Sequence, residues 1–140
     1  MNYGQEPQIG GYTNNDDAKE INIPAIVFGD HTRVVKYINF PFASGADGTQ
    51  LIYSNSPEIS QQYFYCAIKN IDLSNYSYAR HFKYLKDEEI YIPSKDIMDK
   101  FSGIVGYNFK QITNLSKQNK KLMEARDILI PKLMKGEIEV

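Results

Sequence analysis

The sequence predicts a mixed α/β fold of the α+β kind, in which a β-rich body of residues 1–93 precedes a long helix within residues 94–140. Three observations support this prediction. Short runs of β-branched and aromatic residues, separated by turn residues, fill the stretch between Ile23 and Ser54. Apolar residues recur at heptad spacing after Asn108. The charge also divides, with 7 Lys/Arg and 11 Asp/Glu in the body but 9 and 6 in the helical part.

The sequence of the body predicts a hairpin followed by two further strands. Residues 1–20 are polar and predict a loop or a frayed arm. INIPAIVFG predicts a strand that begins near Pro24, and RVVKYINF predicts its returning partner, with a turn at DHT between them. In that turn we expect the Asp30 carboxylate to bond the backbone two residues on and Gly29 to adopt a positive φ. FPFASGADGTQLIYS predicts a short strand, a glycine-rich loop that ends in Asp-Gly, and another strand.

A helical period follows these strands. SPEISQQYFYCAIKNI predicts a helix with Ser56 as its N-cap and Pro57 at its first position. Cys66, the one cysteine, excludes an internal disulfide and is expected to be a small core residue. The polar stretch from Asp72 to Arg80 predicts a loop, and EEIYIPS predicts a last short strand.

The C-terminal part predicts two helices. The first runs from Lys95 to Phe101 behind a Ser94 cap, and we expect a bend or break at Gly103 and Gly106, because each glycine costs about 1 kcal/mol relative to Ala in a helix interior. The second runs from about Asn108 to Met134. In it, Pro131 predicts a kink in the last turn, and Gly136 predicts the end.

The second helix carries a repeat of residues spaced alternately three and four apart, which we call the heptad seam. Its members are Ile112, Leu115, Asn119, Leu122, Arg126, Leu129 and Leu133. This two-in-seven spacing is typical of a coiled coil, and polar residues within such a seam fix register and partner choice. Packing of the helix on its own domain is the alternative. We expect the partner to be another helix of the same kind, most simply a second copy in an antiparallel C2 arrangement.

Several classes of function are excluded by what the sequence lacks. No apolar run approaches the length of a membrane span, and the start is unlike a signal peptide, so we expect a soluble, intracellular protein. There is no Gly-Lys-Ser/Thr phosphate loop and no glycine-rich cofactor loop. Asn39-Phe40-Pro41-Phe42 only faintly echoes an amino-methyltransferase motif, and Asp30 with His31 lacks the other groups of a nuclease site. We therefore expect no catalytic residue, metal or cofactor.

The C-terminal segment QNKKLMEARDILIPKLMKGEIEV resembles the closing helix of type I restriction-modification specificity subunits. The matching positions are Gln118, Asn119, Leu122, Arg126, Asp127, Leu129, Pro131, Lys132, Leu133, Gly136, Glu137 and Ile138. Upstream, AIVFGDHTR, SGADG and ARHFKYLKDEEIYIPS look like a target recognition domain of that family, so the resemblance covers the chain from about Ile23 onward. A full subunit resembles two such halves in tandem, whereas this chain holds one half and no internal repeat.

The resemblance implies a division of labour. Residues 1–93 would be the target recognition domain, and residues 94–140 would be a conserved helix that acts as spacer and dimerisation arm. The implied partners are double-stranded DNA, the modification (methyltransferase) and restriction subunits, and a second copy bound through antiparallel C-terminal helices. The chain would itself be non-catalytic and would work in the cytoplasm of a bacterium or archaeon. A helix over residues 108–134 spans about 40 Å, longer than one DNA turn of about 34 Å.

The residues that we predict to contact DNA fall in three clusters. They are His31, Thr32, Arg33 and Lys36 in the first hairpin, Ser44, Asp47, Gly48 and Thr49 in the glycine-rich loop, and Tyr78, Arg80, His81 and Lys83 in a loop that enters a strand. Arg reads guanine and Asp accepts from cytosine, while basic residues among aromatics suit phosphates. Each cluster can instead be a turn without a ligand. The DNA hypothesis also requires acidic residues to face away from the duplex, namely Asp16, Asp17, Glu20, Asp87, Glu88 and Glu89.

A second hypothesis comes from another class of function. The chain would be a partial specificity subunit whose helix pairs with a full specificity or modification subunit, with little DNA affinity of its own. The net charge of −1 argues weakly against nucleic acid, and a DNA-binding hypothesis must account for the acidic body.

Overall fold

The computed structural model describes residues 15, 19–20, 22–44, 48–76 and 80–138. These form strands β1 (Lys19–Glu20), β2 (Ala25–Gly29), β3 (Val35–Ile38), β4 (Phe42–Ala43) and β5 (Thr49–Ile52), and helices α1 (Gln61–Lys69), α2 (His81–Asp87) and α3 (Lys95–Met134). A three-stranded antiparallel sheet with helices, ending in a long C-terminal helix, confirms the predicted mixed α+β class.

The sheet has β2 at its centre, between β3 and β5, and both neighbours run antiparallel to it. Opposite Ile26 lie Tyr37 on one side and Ile52 on the other. The predicted hairpin and the predicted strand after the glycine-rich loop are therefore both confirmed. β4 pairs with β1 instead, in a separate two-stranded sheet. The Ile23–Pro24 peptide bond is cis, and β2 begins at the next residue.

The core of this body lies between the sheet, α1, α2 and the loop that joins the two helices. Its buried members are Ile26, Phe28, Ile68, Leu73 and Leu85. Val35 and Tyr37 of β3 pack against this cluster. Because side chains alternate along a strand, the intervening Lys36 lies on the opposite face of the sheet. Burial raises the pKa of the Tyr37 hydroxyl.

Helix α1 begins later than the sequence indicated. Its N-cap is Ser60, whose hydroxyl accepts a bond of 3.2 Å from the backbone N–H of Tyr63. The predicted cap Ser56 instead accepts from the N–H of Glu58 in a turn before the helix. Both serines have side chains that can cap a helix. The helical spacing of the apolar residues in this segment does not indicate which of the two does so. Cys66 within α1 is half-buried rather than fully buried, and burial raises its thiol pKa while the nearby Lys69 lowers it.

The region from Arg80 to Pro93 differs most from its prediction. Residues 81–87 form α2 instead of the end of a loop, and EEIYIPS is an irregular segment instead of a strand. Tyr91 and Ile92 in that segment are exposed, so no sheet buries the side chains that suggested a strand.

Helix α3 runs without interruption from Lys95 to Met134, so the predicted break at Gly103 and Gly106 is wrong. The cost of about 1 kcal/mol for each glycine is offset by a hydrogen-bond ladder that continues on both sides. The helix also continues through Pro131. It ends before Gly136, which has a φ of 68° and donates its N–H to the carbonyl of Leu133.

Contacts divide the chain into two units, Met1–Ser102 and Gly103–Val140. The first turns of α3 belong to the first unit. Met98 is buried, the Phe101 ring meets the Tyr63 ring edge-on at 5.5 Å between centroids, and the Ser102 hydroxyl donates to Ser60 over 3.0 Å. The sequence-based division at residues 93 and 94 stays a functional prediction. No helix of the described residues is long and apolar enough to cross a membrane.

Candidate DNA interface

The turn between β2 and β3 is closed by backbone bonds. The N–H of Arg33 donates to the carbonyl of Gly29 over 2.7 Å, and the N–H of Gly29 donates to Val34 over 2.9 Å. The left-handed residue is Arg33, with φ 59°, and not Gly29 as predicted. Gly29 matters for space instead, because a Cβ at this position would overlap the Thr32 hydroxyl. A non-glycine residue in the left-handed region, such as Arg33, is uncommon.

Asp30 connects three parts of the first unit. Its N–H donates to the carbonyl of Gly48 over 2.8 Å. Its own carbonyl accepts from the backbone N–H of His81 over 3.1 Å, and its carboxylate accepts from the N–H of Phe82 over 2.8 Å. The predicted bond from this carboxylate to the backbone two residues on is therefore wrong. Asp30 directly precedes His31 of the first predicted cluster and is bonded to Gly48 of the second and His81 of the third.

Asp30 was not among the predicted site residues. It is 3% exposed, and a buried carboxylate requires hydrogen-bond partners. The Phe82 N–H supplies one such partner, from 52 residues along the chain. The available sequence signal was an aspartate directly after a buried apolar strand. That signal also fits a solvated turn, which is how the sequence was interpreted.

His31 and Gly48 lie next to each other across this junction. Gly48 has a φ of 89°, and a Cβ built on it would lie 3.1 Å from Cδ2 of the His31 ring. The hairpin turn and the start of β5 therefore approach closely where the predicted Asp-Gly turn ends. Asp47 lies outside the described residues, as does Gly45.

His81 is buried, at 5% exposure, and its contact with DNA stays a prediction. Its ring lies inside the junction, with Nδ1 2.9 Å from the Asp30 carbonyl oxygen and Nε2 3.0 Å from the Tyr76 carbonyl oxygen. The Tyr76 ring stacks on Tyr84 of α2 at 3.9 Å between centroids. His81 thus positions neighbouring segments. Tyr78 lies outside the described residues.

The remaining predicted DNA contacts differ in exposure. Exposed members are His31, Thr32, Arg33, Ser44, Arg80 and Lys83, and partly buried members are Lys36, Gly48 and Thr49. The Arg33 guanidinium uses one N–H to bond the Leu73 carbonyl over 3.1 Å, which leaves further donors on the same group. Arg80 immediately precedes α2 and Lys83 lies in its first turn, whereas the exposed Asp87 ends the helix and Glu88 and Glu89 follow it.

A cavity of about 290 Å³ lies beside Arg33. Its lining consists of Phe28, Arg33, Val35, Ile68, Lys69, Ile71, Asp72, Leu73 and Ser74. The Asp72 carboxylate accepts from the backbone N–H of Ser74 over 2.8 Å. Hydrogen bonds from the Ser74 side chain and backbone lower the pKa of Asp72, and Arg33 lowers it further to a smaller degree. Lys69 and Asp72 were not predicted as site residues, because neither belongs to a motif.

The second unit carries the heptad seam on its surface. The exposed fractions of its apolar members are 58% for Ile112, 55% for Leu115, 67% for Leu122, 46% for Leu129 and 41% for Leu133. Met123 and Ile130, each next to a seam leucine, are also exposed. The apolar stripe is therefore wider than two in seven toward the C-terminal end of α3. Asn119 and Arg126 are exposed, and the Arg126 guanidinium pairs with Asp127 over 2.7 Å.

Comparisons of the chain with models of known protein families, with curated proteins and with solved structures find no match. Within the described residues, no group of three or more His, Cys, Asp or Glu is placed to hold a metal ion.

Proposed function

We propose that this chain is a DNA-recognition subunit of a type I restriction-modification system, either of half length or as one half of a longer subunit. It would direct modification and restriction subunits to a two-part DNA target. The observation that supports this proposal most is the junction at Asp30. Hairpin turn, glycine-rich loop and the start of α2 are joined there by three backbone-directed hydrogen bonds of 2.8 to 3.1 Å.

This junction holds in place the segments that carry exposed hydrogen-bond donors. Arg33 and Arg80 lie on segments that Asp30 connects, and both are exposed. Arg contacts guanine edges and phosphates with fixed geometry, and phosphate contacts require only a local concentration of positive charge. The acidic residues that end α2 restrict the DNA-facing part of this helix to its first turn.

The second unit supplies the spacer in this proposal. Helical residues 103–134 of α3 span about 48 Å at 1.5 Å per residue, more than the roughly 34 Å between half-sites one turn apart. An exposed stripe of leucine and isoleucine on such a helix suits a partner helix. Two copies in antiparallel arrangement would carry two recognition units to the two halves of a palindromic split site.

Arg33→Gly offers a sharp test of DNA recognition. Glycine tolerates the φ of 59° without the strain of an L side chain, and this gain offsets the loss of about 1 kcal/mol from the bond to Leu73. The variant should therefore unfold at nearly the wild-type denaturant midpoint. In fluorescence anisotropy with a pool of random-sequence duplexes, its affinity should fall by about tenfold. Lys110→Ala, an exposed cation of the second unit, is the matched control.

Measurements at two salt concentrations show how far binding depends on phosphate contacts. Wild-type affinity should fall steeply between about 50 and 200 mM salt, because phosphate contacts release counterions. Co-expression with a cognate modification subunit, followed by mapping of methylated adenines, should then reveal a bipartite motif. Random or absent methylation would contradict the proposal.

The second candidate is an assembly partner that pairs through the heptad seam and binds DNA weakly. Two observations favour it: His81 is buried, and Asp87 with its acidic neighbours follows Lys83 closely. This candidate would be favoured if the chain associates tightly with itself or with a modification subunit and binds DNA only weakly and without sequence preference.

A further inference from the structure

The cavity beside Arg33 has an apolar floor. Its volume is about 290 Å³, which exceeds the roughly 150 Å³ that accommodates a benzene ring and lies at the lower limit of about 300 Å³ for ligand pockets. The buried residues of its lining, Phe28, Ile68 and Leu73, are all apolar. The polar edges of a nucleobase would lose water there without gaining a side-chain partner. The cavity therefore fits one apolar side chain better than it fits a base.

Two cations stand at the mouth of this cavity, and both are exposed. The Arg33 guanidinium donates one N–H to a backbone carbonyl over 3.1 Å, and its other N–H groups remain as donors. The Lys69 ammonium lies 5.7 Å from the centroid of the Tyr65 ring. The third charged group, the Asp72 carboxylate, already accepts from the N–H of Ser74 over 2.8 Å. An apolar group that carries a carboxylate beside it would therefore complement the cavity.

The irregular segment after α2 has this chemistry. Residues 87–89 are all acidic and exposed. Tyr91 and Ile92 follow them with exposed fractions of 78% and 53%. The Tyr63 hydroxyl of α1 donates to the Tyr91 carbonyl, which holds the backbone of the segment while these side chains face outward. The segment thus presents carboxylates and an exposed isoleucine within six residues.

In its own chain this segment is held away from the cavity. Tyr63 lies in the first turn of α1, whereas Ile68 and Lys69, which line the cavity, lie in its last turn. Tyr63 and Lys69 are separated by about 9 Å along the helix axis, at 1.5 Å per residue. The exposure of Ile92 shows that no cavity of its own chain encloses it.

We infer that Ile92 of one copy enters the cavity of a second copy, with Glu88 and Glu89 at its mouth. Arg33 and Lys69 of the second copy bind the two carboxylates. The inference goes beyond the proposed function and does not rest on it. Exposed ion pairs contribute little each, so the dissociation constant for the isolated segment should be on the order of 0.1–1 mM at low salt. The two patches differ, so the contact repeats from copy to copy unless a symmetry axis closes it.

The first test titrates the full chain with a synthetic peptide of residues 87–93, DEEIYIP. In ¹³C methyl NMR, signals of the cavity residues Val35, Ile68 and Ile71 should shift with one midpoint, and those of Leu122 in the heptad seam should not. A scrambled peptide of the same composition is the control. The inference is overturned if about 2 mM peptide shifts none of the cavity signals, or if the scrambled peptide binds as tightly.

The second test exchanges the charges. Lys69→Glu in the chain should weaken binding of the peptide by about tenfold, because it places a like charge against the carboxylates. A peptide with Glu88→Lys and Glu89→Lys should bind this variant better than it binds the wild-type chain. Such a rescue would not occur if the variant had merely lost its fold. If both chains bind both peptides alike, charge does not recognise the segment and the inference fails.

The third test measures association of whole chains by analytical ultracentrifugation. Leu122→Lys removes pairing through the heptad seam, so the association that remains at about 1 mM should be weak, and Lys69→Glu in the same chain should weaken it further by about tenfold. A Leu122→Lys chain that binds the peptide but stays monomeric would overturn the assignment of the occupant to a second copy. No DNA enters these measurements, so their outcome and that of the DNA-binding experiments are independent.

Discussion

The N–H of Asp30 donates to the carbonyl oxygen of Gly48 over 2.8 Å, so the residue that follows β2 is bonded to the residue that precedes β5. Gly48 accepts this bond with a φ of 89°, a conformation that L residues rarely adopt. The close approach of two turns thus depends on one glycine and on one backbone bond.

Gly48→Ala should destabilise the first unit. The substitution places a Cβ at a positive φ and 3.1 Å from the His31 ring, and we expect a loss of about 1–2 kcal/mol in the free energy of unfolding. Chemical denaturation measures the loss. Gly106→Ala is the control, because a Cβ there would meet nothing within 4 Å apart from the adjacent residues and backbone of α3 itself. That variant should gain up to about 1 kcal/mol of helix stability. If the two substitutions changed the free energy of unfolding equally, the close contact at Gly48 would not be the cause of the loss.

Asp30→Ala and Asp30→Asn should differ in stability. Alanine removes the acceptor of the Phe82 N–H, and leaving this buried donor unpaired should cost about 1–3 kcal/mol. Asparagine keeps an amide oxygen in the same place and should cost less. Urea unfolding of both variants tests the difference. If asparagine is as damaging as alanine, the loss arises from the negative charge and not from the hydrogen bond.

Leu122→Lys should disrupt pairing through the heptad seam. In a homodimer the change occurs twice, so the dissociation constant measured by analytical ultracentrifugation should rise by about 100-fold or more. Ile128→Lys is a matched control, since Ile128 is also exposed on α3, at 59%, but lies outside the seam. A dimer that is disrupted equally by both variants would indicate non-specific apolar association. A wild-type chain that stays monomeric would refute self-pairing.

The Asp72 carboxyl should titrate below its ordinary pKa of 3.8, because the Ser74 hydroxyl and N–H bond its charged form. A lowered pKa in the folded state stabilises the fold above the unfolded-state pKa, and this contribution disappears as the pH falls through the folded-state pKa. Carboxyl ¹³C NMR of wild type and Ser74→Ala tests it. The variant keeps the backbone bond, so its midpoint should rise only part of the way. A wild-type midpoint at or above 3.8 would exclude the bonds.

Sequence patterns predicted the hairpin of β2 and β3 because alternating apolar residues and a turn signal lie within one short stretch. They missed α2 because its start carries no local signal. Arg80 stands at the N-cap and makes no side-chain cap bond. The capping carboxylate is that of Asp30, 52 residues before the Phe82 N–H that it accepts from, and a local pattern does not contain such a partner. The segment was therefore predicted to be the end of a loop that enters a strand.

The exposed residues of the candidate site could be predicted from the sequence, but the hydrogen bonds that connect its segments could not. Arg33 and Arg80 follow from residue type and position in polar turns. The burial of His81 depends on Asp30 and Tyr76, whose carbonyl groups enclose its ring. Backbone carbonyls are present at every residue, so no side-chain pattern identifies which of them a histidine will meet. For α3, continuity through two glycines reflects cooperative propagation, which outweighs single unfavourable residues.

The distant cap of α2 has a consequence for the order of folding. A seven-residue helix without a local cap is too short to persist alone in water. Its first turn acquires a partner for the Phe82 N–H only after the β2–β3 hairpin has formed and the intervening loop has closed. We therefore expect the hairpin to fold early and α2 to fold late, so that the surface around Arg80 is assembled last and is the first to open when the first unit begins to unfold.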